Sequence, residues 1–228
     1  MKIKKKKKRR MDDMRVLAIG THPDDVEFGM GATLAKHISL GHEVLVIVLT
    51  DGERDDKGNY IRSDERRQES KEALKILGYK NIIKFLNLDK VEIQQSTIRV
   101  IEKEINNFKP DRIYTHSKND RHQDHRNCCY AVLSAGRYIN EILLFEVYSV
   151  FPDFLPNYII KVSRNLLDLK NKAIRCFKSQ FKNMELITKM IEGSAIKNSF
   201  STYALQTNKI DYSEAFEIAK IVKKIDGI

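Results

Sequence analysis

Four of the six histidines in this 228-residue chain fall in two short segments, residues 22–27 (HPDDVE) and residues 116–125 (HSKNDRHQDH). Imidazole nitrogens and carboxylate oxygens bind zinc, and two histidines plus one carboxylate, with one position left open, form a common catalytic shell. His22, Asp25 and His125 offer such a set. This pattern predicts a metal site whose ion acts as a Lewis acid and lowers the pKa of its water from about 15.7 to about 7.

The residues beside these candidate ligands are suited to proton transfer. Two adjacent carboxylates cannot easily bind one small cation, so we expect Asp25 to bind the ion and Asp24 to act as a base toward its water. His122 precedes His125 by about one helical turn, and Asp124 can orient His122 as an outer partner.

Each motif alone also has an ordinary structural interpretation. HPDD after a strand can be a turn whose acids cap the following helix, and His-x-x-His is often a surface pair on a helix. Both motifs together, each at the end of a predicted strand, favour a site. We interpret His37 and His42 as structural, and His116 either belongs to the site or only ends its strand.

Short apolar runs alternate with longer amphipathic segments, which predicts βαβ units and a mostly parallel sheet flanked by helices. The expected strands are 15–20, 43–49, 81–86, 112–115 and 142–146, and the expected helices are 29–40, 63–77, 94–108 and 125–140. In an open parallel sheet, ligands bind outside the carboxyl ends of the strands. The two histidine segments are therefore expected to face each other across a crevice there.

The C-terminal third is expected to be helical. Residues 147–162, with Pro152 and Pro156, predict an irregular crossing segment. A long helix over about 164–190, a polar stretch over 193–211 and a closing helix over 213–224 should follow.

The charge and the cysteines exclude several classes of protein. The formal net charge is +10, but residues 1–10 hold eight of the 41 basic residues and no acid, which leaves +2 for the rest. The body thus lacks the basic face of a nucleic-acid-binding domain. No apolar run is long enough for a membrane span, and no apolar segment of a secretory signal follows the basic start. Three cysteines argue against a disulfide framework, so we expect a cytoplasmic protein.

The lysine-rich segment leaves two interpretations open. A disordered solubilising tail over residues 1–13 is the ordinary one. The other is a segment that binds phosphates or anionic lipid surfaces.

The motifs together resemble the PIG-L/LmbE-type family of zinc-dependent sugar N-deacetylases. HPDDVE, TDGE after the second strand, and NDRHQDH after the fourth carry the resemblance, with weaker support from KSQ and YSEAFE. It covers most of the chain after the tail. The resemblance implies a single Rossmann-like (LmbE-like) α/β domain over residues 14–228.

The resemblance also implies roles for individual residues. His22, Asp25 and His125 would bind zinc or another divalent ion, Asp24 would be the general base, and His122, held by Asp124, would stabilise the oxyanion or donate a proton. Substrate contacts are implied for Arg66, Glu53 and Asp89, although Arg66 could also be an ordinary solvent-facing residue of a charged helix. The implied substrate is an N-acetylated amino sugar or its conjugate, and a monomer and a homo-oligomer are both left open.

One feature weakens the substrate assignment that the resemblance implies, and another suggests a different class of protein. Residues 194–206 contain no arginine where the family often has an arginine-glycine pair, which leaves the substrate least certain. The alternative class is a Rossmann-like nucleotide-binding module, supported by Gly29-Met30-Gly31 after the first strand. The glycines come too late for the dinucleotide fingerprint, and Leu34 stands where its third glycine would be.

Cys128 and Cys129 are expected to pack in the core.

Overall fold

The computed structural model describes residues 13–51, 63–200 and 211–223, and the expected N-terminal tail therefore lies almost wholly outside the described residues. Within these ranges the chain forms seven strands and six helices. The strands are β1 (Arg15–Gly20), β2 (Glu43–Val48), β3 (Lys84–Phe85), β4 (Arg112–His116), β5 (Glu141–Phe145), β6 (Tyr158–Val162) and β7 (Tyr212–Ile221). The helices are α1 (Asp25–Ser39), α2 (Ser63–Ile76), α3 (Gln95–Phe108), α4 (Gln123–Ala135), α5 (Arg164–Ile174) and α6 (Met184–Ser199).

The strands form one mixed, mostly parallel sheet in the order β3-β2-β1-β4-β5-β7-β6. β1 pairs in parallel with β2 on one side and with β4 on the other, so the strand order reverses between β1 and β4. The carboxyl ends of two such strands border a crevice, the usual ligand site of this architecture. The predicted fold class is confirmed.

Helices cover both faces of the sheet, and each covered face forms its own core. β1 shows this division, since Val16 and Ala18 lie in one core and Leu17 and Ile19 in the other. A strand buried on both faces needs apolar residues at every position, which is why RVLAIG reads as a continuous apolar run. Cys128 and Cys129, which the sequence predicts to pack in the core, are fully buried in the second core. No helix among the described residues has the length and apolarity required to cross a bilayer.

The C-terminal third differs from the prediction in three places. The expected closing helix over 213–224 is wrong, because Tyr212–Ile221 forms β7, antiparallel to both β5 and β6. The segment expected to be irregular contains the edge strand β6. The expected long helix is two helices, α5 and α6, separated by a turn around Phe177–Lys182.

Helix α1 is broken after its first turn and a half. It begins at Asp25 rather than at residue 29, and Met30 has non-helical dihedrals (φ −144°, ψ 23°). The Glu214 carboxylate of β7 accepts hydrogen bonds from the N–H groups of Ala32 and Thr33, at 3.2 and 2.6 Å, and so caps the second half of the helix. Lys170 of α5 donates to the same carboxylate at 2.6 Å.

Packing leaves no room for a side chain at Gly29 and little room at Gly31. A Cβ at Gly29 would lie 2.3 Å from Phe145 Cδ2, and one at Gly31 would lie 3.1 Å from Lys170 Cγ. Gly29 and Gly31 therefore have a structural explanation as residues that let α1 approach β5 and α5.

Candidate active site

The crevice between β1 and β4 brings the two histidine segments together. HPDD follows directly from β1, and α1 begins at Asp25. His116 is the last residue of β4, and Asp120–His125 runs into the first turn of α4. Asp24 sits at the turn with φ 118°, in the left-handed region that L-residues avoid. Strained backbone of this kind costs about 1–3 kcal/mol and is concentrated at functional sites.

The three expected metal ligands converge on one point. His22 Nδ1 lies 3.2 Å from His125 Nε2 and 3.6 Å from Asp25 Oδ2. His125 Nε2 lies 3.4 Å from Asp25 Oδ1. A tetrahedral zinc shell with Zn–N distances of about 2.0–2.1 Å places neighbouring ligand atoms about 3.3 Å apart. His22, Asp25 and His125, hereafter the ligand triad, therefore fit a small divalent cation.

The two oxygens of Asp25 are engaged differently. Oδ2 accepts hydrogen bonds from the backbone N–H groups of Thr21 (2.9 Å) and His22 (2.6 Å), and His116 Nε2 lies 3.0 Å away. Burial opposes ionisation of Asp25, but the charges of His125 and His116 and these bonds hold its pKa well below the usual range. An ionised carboxylate only accepts, so His116 carries its proton on Nε2. Oδ1 is then the oxygen directed at the metal position.

Each histidine of the ligand triad has a carboxylate behind it. His125 Nδ1 lies 3.0 Å from Asp120 Oδ2, and His22 Nε2 lies 3.6 Å from Asp124 Oδ2. Donation of the His125 Nδ1–H to Asp120 leaves Nε2 of that ring unprotonated and oriented toward a metal. Burial disfavours a protonated His22, yet the carboxylates of Asp124 and Asp25, each 3.6 Å from a ring nitrogen, raise its pKa to about 9.

Asp24 is buried beside the ligand triad without being one of its members. Burial, followed by the negative charge of Asp25, raises the pKa of Asp24 to about 7, against the opposing charges of Arg66 and His22. Arg66 Nη2 lies 3.9 Å from Asp24 Oδ2 and donates to the carbonyl of Pro23 at 3.2 Å. A carboxyl with a near-neutral pKa exchanges protons readily at neutral pH.

His122 stacks on the ligand triad from the solvent side. Its ring lies 4.5 Å from that of His125 and 4.9 Å from that of His22. Its Nδ1 accepts from the backbone N–H of Asp124 at 3.2 Å, so the proton of the neutral ring is on Nε2. Burial and the nearby His125 and His22 lower its pKa. The expected link between Asp124 and His122 is thus made by the Asp124 backbone, while the carboxylate of Asp124 faces His22.

The residues expected to contact substrate are placed unevenly. Arg66 is 3% exposed, so its interpretation as a solvent-facing residue is wrong. In the same R-x-x-E segment, the Glu69 carboxylate accepts from the backbone N–H and the hydroxyl of Ser179, in the KSQ segment, at 2.9 and 2.6 Å. Asp89 is exposed in the loop after β3. Glu53 lies outside the described residues.

Sequence reasoning gave no definite role to three residues of this site. His116 holds Asp25, Asp120 holds His125, and the Ser149 hydroxyl donates to Asp120 Oδ1 at 2.6 Å. His116 and Asp120 were visible as strand-end residues next to the second motif. Ser149 gave no signal, because it comes from the loop after β5.

Comparison with known proteins identifies the family. The family model of PIG-L, GlcNAc-PI de-N-acetylase, matches residues 17–136, which include both histidine segments. The uncharacterized deacetylase YaiS of Escherichia coli K12 is 35% identical over 171 residues, covering 72% of this chain and 90% of that protein. The diacetylchitobiose deacetylase of Thermococcus kodakarensis is 27% identical over 194 residues, covering 75% of this chain and 71% of that protein.

A solved structure gives the same assignment. The N,N'-diacetylchitobiose deacetylase of Pyrococcus horikoshii, solved with its inhibitor, superposes with a TM-score of 0.76 at 25% identity, covering 91% of this chain and 84% of that chain. The matched family model spans more than half of the chain, and the relatives named above are deacetylases. The chain belongs to the PIG-L family of deacetylases.

Proposed function

We propose that this chain is a metal-dependent N-deacetylase that hydrolyses the acetamide of an N-acetylated amino sugar or its conjugate. The observation that carries the proposal is the ligand triad, in which His125 Nε2 lies 3.2 Å from His22 Nδ1 and 3.4 Å from Asp25 Oδ1. Zinc is the expected ion, with another divalent cation as the alternative. Such an ion, when bound, acts as a Lewis acid and lowers the pKa of water.

Asp24 is the residue we assign to proton transfer. It is buried next to the ligand triad, and Arg66 fixes its position from behind. Asp24 takes a proton from the attacking water and returns it to the departing amine. His122 is less suited to that second step, because its lowered pKa keeps the ring neutral.

His122 is the residue we assign to the developing oxyanion. Its Nδ1 is occupied by the Asp124 N–H, so Nε2–H is the donor that it can offer to a reacting group. A preorganised donor of this kind contributes about 3–4 kcal/mol to transition-state stabilisation. The exposed side of His122 is the side from which a substrate carbonyl would approach.

The substrate class rests on the relatives rather than on the ligand triad. Two of them are deacetylases of diacetylchitobiose, an N-acetylated sugar. We extend that chemistry to this chain and keep Arg66, Glu53 and Asp89 as proposed contacts of the sugar. Arg66 lies behind Pro23 and Asp24, so its contribution to the sugar site includes holding this loop.

The proposal is tested by acetate release from a panel of N-acetylated sugars. We expect release by the metal-loaded protein, and none after chelation. Asp24→Asn keeps the size of the side chain but removes the base, and kcat should fall by about 10²–10⁴-fold, the usual contribution of such catalysis. Bound metal should be unchanged in this variant. Full activity in chelated protein would refute the metal mechanism, and full activity in Asp24→Asn would refute the assigned base.

A further inference from the structure

Glu27, the last residue of the HPDDVE segment, is a buried acid that the proposed mechanism does not use. It lies in the first turn of α1, three residues after Asp24, and is 2% exposed. Its Oε1 accepts a hydrogen bond from the hydroxyl of Ser70 at 3.0 Å, and Ser70, in α2, is fully buried. These two residues, hereafter the Glu27–Ser70 pair, join the first turn of α1 to α2.

The same helix α2 contacts the loop before α1 at a second point. Arg66 precedes Ser70 by four residues, about one helical turn, so the two side chains lie on one face of α2. Arg66 Nη2 donates to the Pro23 carbonyl at 3.2 Å and lies 3.9 Å from Asp24 Oδ2. A second contact one turn away opposes the pivoting of α2 that a single contact would allow.

Packing alone does not account for a polar pair at this position. A buried carboxyl costs free energy unless it is hydrogen-bonded, and two apolar side chains of the same shape would be nearly neutral or stabilising in its place. Apolar side chains lack direction, whereas a hydrogen bond depends on both distance and angle. The Glu27–Ser70 pair therefore favours one precise placement of α2 against α1.

Asp24 is the residue whose placement depends on these contacts. Its backbone has φ 118°, and a strained residue keeps its conformation only where the surrounding structure holds it. The Asp24 carbonyl accepts from the N–H of Phe28 at 2.8 Å, and Glu27 precedes Phe28 in the same turn. A shift of this turn relative to α2 would therefore move Asp24 relative to Arg66.

We propose that the Glu27–Ser70 pair positions Asp24 for proton transfer, by fixing α2 so that Arg66 meets the Pro23–Asp24 loop. The inference rests on the proposed function, in which Asp24 is the base. Glu27 and Ser70 are positioning residues in this account, because they act on Asp24 through Arg66.

The test compares variants that keep or remove this contact. Glu27→Gln keeps an oxygen acceptor for Ser70. The double variant Glu27→Met/Ser70→Ala removes both polar groups, so neither is left buried without its partner, which favours folding. All the replacements at residue 27 are uncharged, so the charge of Glu27 cannot account for a difference between them.

We expect the double variant to lose turnover without losing substrate or metal. A misplacement of about 1 Å costs up to about 10²-fold in rate, so kcat should fall by about 10–100-fold. KM and zinc affinity should stay unchanged, because Asp24 acts in the chemical step. Glu27→Gln should retain most of the activity. An unchanged kcat in the double variant, or an equal fall in Glu27→Gln, would overturn the proposal.

A second comparison tests whether the pair acts through Arg66. In Arg66→Met the contact with the Pro23–Asp24 loop is already lost, so adding Glu27→Met and Ser70→Ala should lower kcat little further. Residues that act through one another give such non-additive effects. A fall by the same factor with and without Arg66 would contradict this route.

Amide hydrogen exchange separates this inference from the deacetylase function. If the unaltered protein releases no acetate, the proposed function fails, and the contact is tested at the Phe28 N–H, which bonds to the Asp24 carbonyl. We expect exchange at Phe28 to be faster in the double variant and unchanged in Glu27→Gln. Gly136, whose N–H donates to the Val132 carbonyl at 2.7 Å at the end of α4, is the reference and should exchange alike in all three proteins. Equal exchange at Phe28 in the two variants would overturn the positioning role.

Discussion

The Asp25 carboxylate shows how single contacts prepare this site. Two backbone N–H groups and His116 occupy Oδ2, which leaves Oδ1 to face His125 Nε2. Because the conformation of this carboxylate is already fixed, little side-chain entropy is lost when a metal binds. His116 is fully buried, and we infer that it acts as a positioning residue for Asp25.

His116→Phe tests this positioning role. The substitution keeps an aromatic ring next to His125 and Phe145 but removes the donor to Asp25. Metal affinity should fall by about 10–100-fold, the usual effect of losing an outer hydrogen bond at a metal site. Competition with a chromophoric chelator measures the change, and His116→Gln, which restores an N–H donor, should recover part of it. Unchanged affinity in His116→Phe would show that His116 only packs.

At the scale of single residues, the sequence pointed to His22, Asp25 and His125, which the fold brings together, but not to their surroundings. His22, Asp25 and His125 are recognisable because their types and their places at strand ends suit a metal. The role of His116 depends on which oxygen of Asp25 it meets, and Ser149 comes from a different strand end. Contacts of this kind are set by tertiary packing, which local spacing does not encode.

At the scale of elements, the broken helix α1 connects the site to the core. Its first segment carries Asp25, and the break at Met30 is stabilised by Glu214 from β7. Gly29 lies in this segment, where Phe145 of β5 occupies the space of a Cβ. The position of the first turn thus depends on a close contact between α1 and β5.

Gly29→Ala should destabilise the protein. Because Phe145 is fully buried and has little room to move, the added methyl group should lower the free energy of unfolding by about 1–3 kcal/mol, as overpacking does. Gly193→Ala is the matched control, since Gly193 lies in α6 with no atom within 4 Å of an added Cβ. That change should be neutral or stabilising by up to about 1 kcal/mol. Urea denaturation measures both, and equal effects would contradict the close contact.

The elements also show where sequence prediction succeeds. β1, β2 and β5 are largely apolar runs buried on both faces, a pattern that few other structures produce. β7 was predicted as a helix because Glu214, Ala215, Glu217 and Lys220 favour helices locally. Pairing with β5 and β6 overrides that preference. The buried Glu214 carboxylate is stabilised by hydrogen bonds from Lys170 and from two backbone N–H groups of α1.

At the scale of the whole molecule, one buried histidine connects the stability of the fold to pH. His37 of α1 contacts the Tyr114 hydroxyl of β4 at 2.9 Å. Burial, followed by the charges of His42 and Arg112, lowers its pKa to about 3. The unfolded chain, with a histidine pKa of about 6.5, takes up the proton first as the pH falls. Neutral His37 therefore contributes stability above pH 6.5 that is progressively lost toward pH 3.

His37→Gln should make the protein less sensitive to acid. The loss attributable to His37 approaches about 1.4 kcal/mol per pH unit below pH 6 and is absent in the variant. Urea denaturation at pH 7.5, 6 and 5 should show a smaller decrease in the free energy of unfolding for His37→Gln than for the protein that keeps His37. Histidines that do not touch His37 are common to both proteins and cancel in the comparison, and His42, whose Nδ1 lies 2.7 Å from His37 Nδ1, is replaced by Gln in both. Parallel pH profiles would contradict the assigned pKa.

The whole molecule is an open, mostly parallel sheet that reverses its strand order between β1 and β4, and the ligand triad lies at that reversal. The central claim is that this triad holds one catalytic divalent ion. The most direct test is to titrate zinc into metal-free protein while following acetate release from an N-acetylated sugar that it hydrolyses. We predict that activity rises until one zinc is bound per chain, and that Asp25→Asn neither binds zinc at that stoichiometry nor gains activity. Full activity without metal, or normal zinc binding by Asp25→Asn, would contradict the account.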